Sequence, residues 1–518
     1  MYLVTANEMQ KMDRSTIESF GLPGRILMEN AGRGATQFFL EQFKGAENKK
    51  IGVIAGRGNN GGDGFVIARY LAQKKISVTV YLLSERQKVS GDAAANLKLL
   101  PFLEVPVIEI PDAESFSEHE TAMRHEAIWI DAILGTGLRS DVKGFFRDVI
   151  DFINQSNKPV FAVDIPSGLN SDTGRPCGTC VRADATATFA FAKTGHFLFP
   201  GADYTGNLKI IDIGVPPHIA NDVAPLQYLL TPNLIRAVFY PRPSDAHKGH
   251  TGHLLVIAGS PGKTGAAAMT ATSAMRAGAG LVTLGIPDSL NPVVEPQLME
   301  AMTDPLPETA KGILGEASFN RIMDLLSDKK CLAIGPGIGT APETKTLFQH
   351  LLQENTKPMV IDADGLNILA GHTDILKDLD TPIVLTPHPG EMARLISSTA
   401  ADVQKDRIKC ARDFAQKFNV HVVLKGARTV IAHPDGRVFI NPTGNPGMAS
   451  GGMGDVLTGV IAGFIAQGHS PELAAHAGVY LHGAAADSLA KNQGPFGYLA
   501  ADVMNTLPKA IKKLVESI

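Results

Sequence analysis

Short apolar runs, each closed by a glycine, a proline or an acid, recur along the whole chain and alternate with helix-like stretches. KKIGVIAG, ISVTVYLL, AIWIDAILG, VFAVDIPSG and ATATFAF form the first series. That alternation predicts parallel sheets covered by helices, an α/β fold of three αβα layers. The series breaks between about Pro216 and Gly252, a segment rich in proline and polar residues. It restarts with HLLVIAGS and an alanine-rich helix from Ala266 to about Ala277. LVTLGIP, CLAIGPG, PMVIDADG, PIVLTPHPG and VHVVLKG follow as further strands. A length of 518 residues exceeds one ordinary core. Two α/β domains are therefore expected, residues 1–220 and 230–518.

Composition bounds the function. Apolar residues make up 44% and charged residues 19%, values of a globular chain. A formal net charge of −4 gives no general attraction to nucleic acid or to an anionic membrane. No apolar run is long enough to span a bilayer, and MYLVTANEMQKMDRSTIE does not read as a signal peptide. Of the four cysteines, Cys177 and Cys180 form a lone C-x-x-C in a Gly/Pro/Thr loop. With no second pair nearby, this is read as neither a zinc nor a redox motif, and a reducing cytoplasm is expected. His247, His250 and His253 resemble a metal cluster, but they sit on a glycine-containing linker without a second ligand set.

In the first half, Gly56-Arg57-Gly58-Asn59-Asn60-Gly61-Gly62-Asp63-Gly64 lies between a strand and a helix. Its G-x-G-x-x-G spacing suits a dinucleotide, with Glu85 as a candidate ribose acid. The asparagines and Asp63 add oxygen ligands to the backbone donors, so the loop suits a phosphate together with a hard cation. Asp131 ends one strand before Gly135-Thr136-Gly137-Leu138-Arg139, and Asp164 ends another before Pro166-Ser167-Gly168. In a doubly wound sheet these strand ends share one crevice. Asn60, Asp131 and Ser167 then suit a cation, leaving Asp164 as an acid or base, although each also reads as a plain cap or turn residue.

In the second half, NPTGNPGMASGGMGD runs from Asn441 to Asp455 into the apolar VLTGVIAGFIA. A glycine-rich turn opening a helix presents free N–H groups to a phosphate. Asp455 beside that cradle suits removal of a proton from a substrate hydroxyl, and the helix N-terminus is expected to keep it ionised. Lys425, at a strand end before Gly426-Ala427-Arg428-Thr429, suits a nucleotide phosphate. His388 lies between two prolines in Thr386-Pro387-His388-Pro389-Gly390-Glu391. Gly335 to Gly339 and Asp362-Ala363-Asp364-Gly365 are further strand-end loops. Gly262-Lys263-Thr264 is not a Walker A motif, because Ile257 stands where the first glycine is required.

RILMENAG, NNGGDGFVIAR, DAILGTGL and VDIPSGL resemble the NAD(P)HX epimerases, the YjeF N-terminal family. The likeness covers about residues 1 to 220 and implies a Rossmann-like fold. It also implies potassium at Asn60, Asp131 and Ser167. Substrate contacts would fall on Asn59, Asn60, Gly61, Gly62 and Asp63, and on Gly135, Thr136, Gly137, Leu138, Arg139, Ser140 and Asp141. Asp164 would be a substrate contact and the proton-transfer group. GPGIG, DADGLN, LTPHPGEMARL, LKGARTV and NPGMASGGMGDVLTG resemble the ADP-dependent NAD(P)HX dehydratases, of ribokinase-like fold, over about residues 230 to 510.

The second resemblance implies that Ala267, Gly337, His388 and Asp455 contact the hydrated nucleotide. Lys425, Gly426, Ala427, Arg428, Thr429 and Gly454 would contact ADP, whose phosphates carry magnesium, with Asp455 catalytic. In this order the halves resemble bifunctional bacterial repair enzymes. The expected partners are NAD(P)HX and ADP, without nucleic acid or membrane, in a homo-oligomer. The alternatives are a ribokinase-like small-molecule kinase fused to a nucleotide-binding module, and a non-enzymatic scaffold.

Overall fold

The computed structural model describes residues 1–239 and 242–516. The chain divides into one unit of Tyr2–Gln227 and a second that begins at Tyr228 and includes Met1.

The strands of the first unit are β1 (Ile51–Ala55), β2 (Val78–Leu82), β3 (Val107–Glu109), β4 (Ile128–Ala132), β5 (Val160–Val163), β6 (Ala185–Phe189) and β7 (Asn207–Ile211). They lie in the order β3-β2-β1-β4-β5-β6-β7, and every pairing is parallel. Alternate residues along each strand point to opposite faces, so each strand feeds two cores. Ile51, Val53, Ile128 and Ile130 join Phe38, Phe39 and Phe161 in one of them. Ile54 and Trp129 join Val149, Phe152 and Ile153 in the other. Helices α1 (Ala6–Glu18), α2 (Gly24–Gln42), α3 (Asn59–Gln73) and α4 (Phe145–Gln155) contribute to the flanking layers. Phe39 of α2 meets Phe161 of β5 edge-on at 5.4 Å, and Phe152 of α4 meets Trp129 of β4 at 5.8 Å. Strand order reverses between β1 and β4, the place where a doubly wound sheet opens a crevice.

In the second unit the principal strands are β8 (His253–Ile257), β9 (Leu281–Pro287), β10 (Met302–Leu306), β11 (Cys331–Ile334), β12 (Met359–Ile361), β13 (Ile383–Leu385), β14 (His421–Leu424), β15 (Val430–Ala432) and β16 (Val438–Ile440). They run β16-β15-β14-β13-β12-β11-β8-β9-β10. The pairings from β10 to β14 are parallel, whereas β14–β15 and β15–β16 are antiparallel. The antiparallel end departs from the all-parallel expectation. No helix separates β15 from β16, and a short turn through Pro434-Asp435-Gly436 permits only a hairpin. The principal helices are α5 (Thr264–Arg276), α6 (Pro389–Leu395), α7 (Met453–Ala466) and α8 (Pro471–Asn492). α7 is buried along almost its whole length, which explains its apolar composition on every face. The reversal of strand order between β8 and β11 brings the loops after both strands together. There the Gly259 N–H donates to the Pro336 carbonyl at 2.9 Å, and Ser260 Oγ donates to the Gly337 carbonyl at 2.6 Å.

Candidate functional site

In the first unit a cleft of about 1060 Å³ opens where the strand order reverses. The loop after β1 reaches it because α3 starts hard against that loop. A Cβ on Gly61 would stand 1.9 Å from the Gly56 carbonyl oxygen, so no other residue fits there without moving backbone. Asn59, Asn60 and Asp63 line the cleft, as do Gly135 to Ser140 and Asp164. Gly61 and Gly62 are buried behind that wall, and Asp141 is exposed beyond it. Glu85 also lines the cleft, with its carboxylate accepting from Lys88 at 2.7 Å.

Asp131 and Ser167 are both 0% exposed and lie beneath the floor. Ser167 donates to Asp131 from its backbone N–H at 2.7 Å and from Oγ at 2.5 Å. Burial outweighs these bonds and pushes the Asp131 carboxyl up to about 6. Asn60 has both side-chain polar atoms buried without a partner, and its side chain packs beside Gly135, in the loop that follows Asp131. A buried carboxylate, a hydroxyl and an unsatisfied amide from adjoining strand ends make a donor set suited to a cation.

Asp164 sits just past β5 with a left-handed backbone, φ 63°. Its Oδ1 accepts from Lys193 Nζ at 2.5 Å and from Thr188 Oγ1 at 3.0 Å, while its carbonyl meets His196 Nε2 at 3.1 Å. Lys193 is only 1% exposed. Burial alone would raise the Asp164 carboxyl, but the Lys193 ammonium more than offsets it and holds the group below the usual carboxylate range. Two further carboxyls move the other way. Burial, aided by the Asp164 charge, drives Asp63 well up. Burial pushes Asp13, on α1 and in the cleft wall, up to about 6. Burial and the Lys193 charge drive His196 down to about 3 and keep it neutral. The cleft therefore holds an ionised carboxylate and carboxyls biased toward the acid form, the combination that divides base from acid roles.

In the second unit α7 begins at a left-handed Gly452, φ 88°, and carries Asp455 in its first turn. That start rests on a buried ion pair. Lys425, after β14, donates to Asp362 Oδ1 at 2.6 Å, and Thr458 of α7 donates to Asp362 Oδ2 at 2.8 Å. A Cβ on Gly454 would lie 3.3 Å from Lys425 Nζ, a tight contact that a bare backbone avoids. Burial opposes ionisation of Asp362, and Lys425 reverses the balance, leaving the carboxyl below its ordinary value. Asp455 shifts opposite to the helix-dipole expectation. Burial and the Asp362 charge push it up to about 6, although it stays mostly ionised at neutral pH.

His388 caps α6, its Nδ1 accepting from the Gly390 N–H at 3.0 Å and the Glu391 N–H at 3.2 Å. Glu391 is buried 3.7 Å from Lys425. Gly426 and Ala427 are exposed after Lys425, while Arg428 adopts φ 56° and donates to the Pro442 carbonyl. Thr429 Oγ1 donates to the Gly426 carbonyl at 3.1 Å, closing that loop on itself. Gly337 has φ 68° and packs on Lys263, which reaches Asp364 at 2.8 Å. Ala267 has no exposed surface and packs in the core beneath Gly259.

The sequence reading passed over Lys193, Asp13 and Thr458 and treated Asp362 only as part of a loop. Asp362 follows a strand as Asp131 and Asp164 do, so the same signal was available for it. Lys193 and Asp13 have none, because their meaning comes from burial against a distant carboxylate. The three linker histidines do not converge. His253 opens β8 and reaches Thr283 Oγ1 at 2.8 Å, whereas the exposed His247 and His250 stack with ring centroids 3.5 Å apart. Cys177 and Cys180 are free thiols, both pushed up by burial.

Comparison with known proteins covers both units. A family model described as YjeF-related protein N-terminus matches residues 24–195, and one described as NAD(P)H-hydrate dehydratase matches residues 254–509. The bifunctional NAD(P)H-hydrate repair enzyme Nnr of Moorella thermoacetica is 42% identical over 519 residues, covering 100% of this chain and 98% of its own. The enzyme of the same name from Salinibacter ruber is 37% identical, covering 98% of this chain and 95% of its own. The ADP/ATP-dependent NAD(P)H-hydrate dehydratase of Bacillus subtilis, co-crystallised with ATP and Mg2+, is 32% identical, with 55% of this chain and 98% of that chain covered at a TM-score of 0.49.

Proposed function

The chain belongs to the family of bifunctional NAD(P)H-hydrate repair enzymes, and from that premise we propose a division of labour between its two units. The enzyme repairs hydrated NADH and NADPH. Its first unit interconverts the R and S hydrates, and its second removes water from the S form using ADP or ATP. The full-length likeness to the Moorella enzyme carries this reading.

The hydroxyl-bearing carbon beside the ring nitrogen inverts when its C–N bond opens to an aldehyde and re-forms on the other face, the hydroxyl losing a proton and the nitrogen gaining one as the bond breaks. Asp164, held ionised by Lys193, takes the proton, and Asp13 in the same cleft wall gives it. Asn59, Asn60 and Asp63 with Gly135 to Ser140 hold the nucleotide over Asp164. Gly61, Gly62 and Asp141 shape that loop from outside the wall. Asn60, Asp131 and Ser167 suit potassium, because the Asn60 amide lacks partners and the Asp131 carboxylate is wholly buried. Potassium there supplies positive charge that steadies the phosphate-binding loop.

In the second unit the amides at the start of α7, Gly454 among them, receive the ADP phosphates. The loop Gly426, Ala427, Arg428 and Thr429 borders the nucleotide, with Lys425 held underneath. Asp455 takes the proton from the ring hydroxyl as that oxygen attacks the terminal phosphorus of ADP or ATP and AMP or ADP departs. Phosphate then leaves in place of hydroxide, and the neighbouring ring carbon gives up a proton as the double bond returns. His388 and Gly337 border the hydrated ring, with Ala267 behind them. Magnesium on the ADP phosphates would offset the negative charge that develops there.

The exposed Phe496 and Leu499, 79% and 63% accessible, support a homo-oligomer, which light scattering tests. Four free cysteines support a cytoplasmic location. Among the described residues no helix is long and apolar enough to cross a membrane.

The test is incubation with mixed R and S hydrates plus ADP or ATP, following reduced-nicotinamide absorbance and free phosphate together. Both must appear in equal amounts. Accumulation of a phosphorylated nucleotide without reduced cofactor would establish the kinase alternative instead.

A further inference from the structure

Residues far apart in the second unit's sequence converge at the end of β14 opposite Lys425. His421 opens β14, the strand whose other end leads into Lys425. His433 lies in the hairpin turn between β15 and β16, and Glu472 and His476 stand one helical turn apart on α8. His433 Nδ1 is 2.7 Å from His421 Nδ1, and His433 Nε2 is 2.8 Å from His476 Nε2. One ligand atom from each of His433, Glu472 and His476 lies within 4.8 Å of the others.

We propose that His433, His476 and Glu472 bind one divalent transition ion of the zinc class, separate from both nucleotide clefts. Two imidazoles and a carboxylate are a donor set such ions prefer. Ligands about 2.1 Å from a shared ion stand roughly 3–4 Å apart, so small side-chain rotations would bring the present separations into that range. When His433 Nδ1–H donates to His421, the tautomer leaves the Nε2 lone pair aimed at His476. An Nε2–H on His476 would satisfy that contact at 2.8 Å, and a cation bound between the two rings would take the place of this proton. Both rings are 1% exposed, so water cannot serve them readily, and His476 Nδ1 has no partner. Phe439 closes one side, its ring centroid 4.1 Å from that of His476. Arg437 Nη2 donates to Glu472 Oε2 at 2.8 Å, which orients the carboxylate and leaves its second oxygen available. An ion here ties the β15–β16 hairpin to α8, a structural clip at the end of β14 opposite Lys425.

The experiment uses the full-length chain stripped with EDTA. Co2+ is added while visible ligand-field bands are followed, and Zn2+ binding is measured by calorimetry. One equivalent should bind, and Zn2+ should raise the melting temperature. Glu472→Gln and His476→Gln should each weaken Zn2+ binding by more than about tenfold. A His247→Ala/His250→Ala double variant, which removes the exposed stacked pair, should bind as the parent does. S-hydrate dehydration in every variant confirms that the second unit is folded. Should His476→Gln fail that check, the partly exposed Glu472→Gln decides alone. Absence of saturable binding at micromolar Zn2+, undiminished binding in the folded variants, or loss of binding in the double variant would overturn the proposal.

Discussion

Replacing Lys193 by methionine removes the cation that holds Asp164 ionised while keeping most of the buried side-chain volume. The ammonium donates at 2.5 Å to a carboxylate whose side chain is 15% exposed, so solvent can replace little of what is lost. Breaking such a buried pair from one side costs about 3–5 kcal/mol, because the remaining charge is stranded. At about 1.4 kcal/mol per pH unit, the lower figure alone moves the acid limb of the epimerase profile up by roughly two units. Starting from below 3.8, a two-unit rise leaves most of the base ionised at pH 7, so R-hydrate repair falls mainly at acidic pH, by up to about a hundredfold on the acid limb. The chain supplies its own control, since S-hydrate repair needs only the second unit. R and S hydrates are assayed separately with ADP between pH 5 and 8.

Stability changes with a definite sign. In the parent, Asp164 lies below its unfolded value, so its contribution is present above pH 3.8 and fades as pH falls through the lower folded value. In Lys193→Met that contribution is gone, and the melting-temperature deficit should shrink as pH drops toward 4. Lys193→Gln, which keeps a donor, should recover part of the rate. An R-repair profile with its acid limb unmoved in Lys193→Met would refute the assignment of Lys193 to Asp164.

Further outcomes can be checked alongside. Asp164→Asn should abolish R-hydrate repair and spare S-hydrate repair, whereas Asp455→Asn should stop both readouts while R and S forms still interconvert by chromatography. Because Asp455 acts as a base and is pushed up to about 6, S-hydrate dehydration should fall as pH drops through that value and level off above pH 7. Lys425→Met should destabilise the second unit by about 3–5 kcal/mol by leaving Asp362 buried without its cation, read as a fall in its melting transition. Gly61→Ala should cost at least about 1–3 kcal/mol and open the first cleft, since its methyl would meet the Gly56 carbonyl at 1.9 Å.

The alternation of apolar runs with helical stretches was enough to read two helix-covered sheets, because parallel strands are buried on both faces and stay apolar throughout. The β15–β16 hairpin escaped that reading because no helix separates its strands, so the strand–helix alternation does not mark it. Asn60, Asp131, Asp164 and Asp455 were legible because each stands at a strand end or helix start, where turn chemistry leaves a local mark. Lys193 and Asp13 left no such mark. An internal lysine becomes the neighbour of a carboxylate 29 positions away only when β5 and β6 pair and bury both. The upward shift of Asp455 was equally hidden, because it depends on Asp362, which reaches the same spot from another strand.

The inverted backbone hand at Asp164 carries a consequence for how this cleft can change over time. At φ 63° only glycine, asparagine and aspartate sit without marked penalty, since other side chains crowd the following carbonyl. Substitutions to glycine or asparagine would silence the chemistry and leave the folded shape nearly untouched. A descendant stripped of epimerase activity in that way would keep its outline, but the stranded Lys193 ammonium would betray the loss as a lower melting temperature beside the lost turnover.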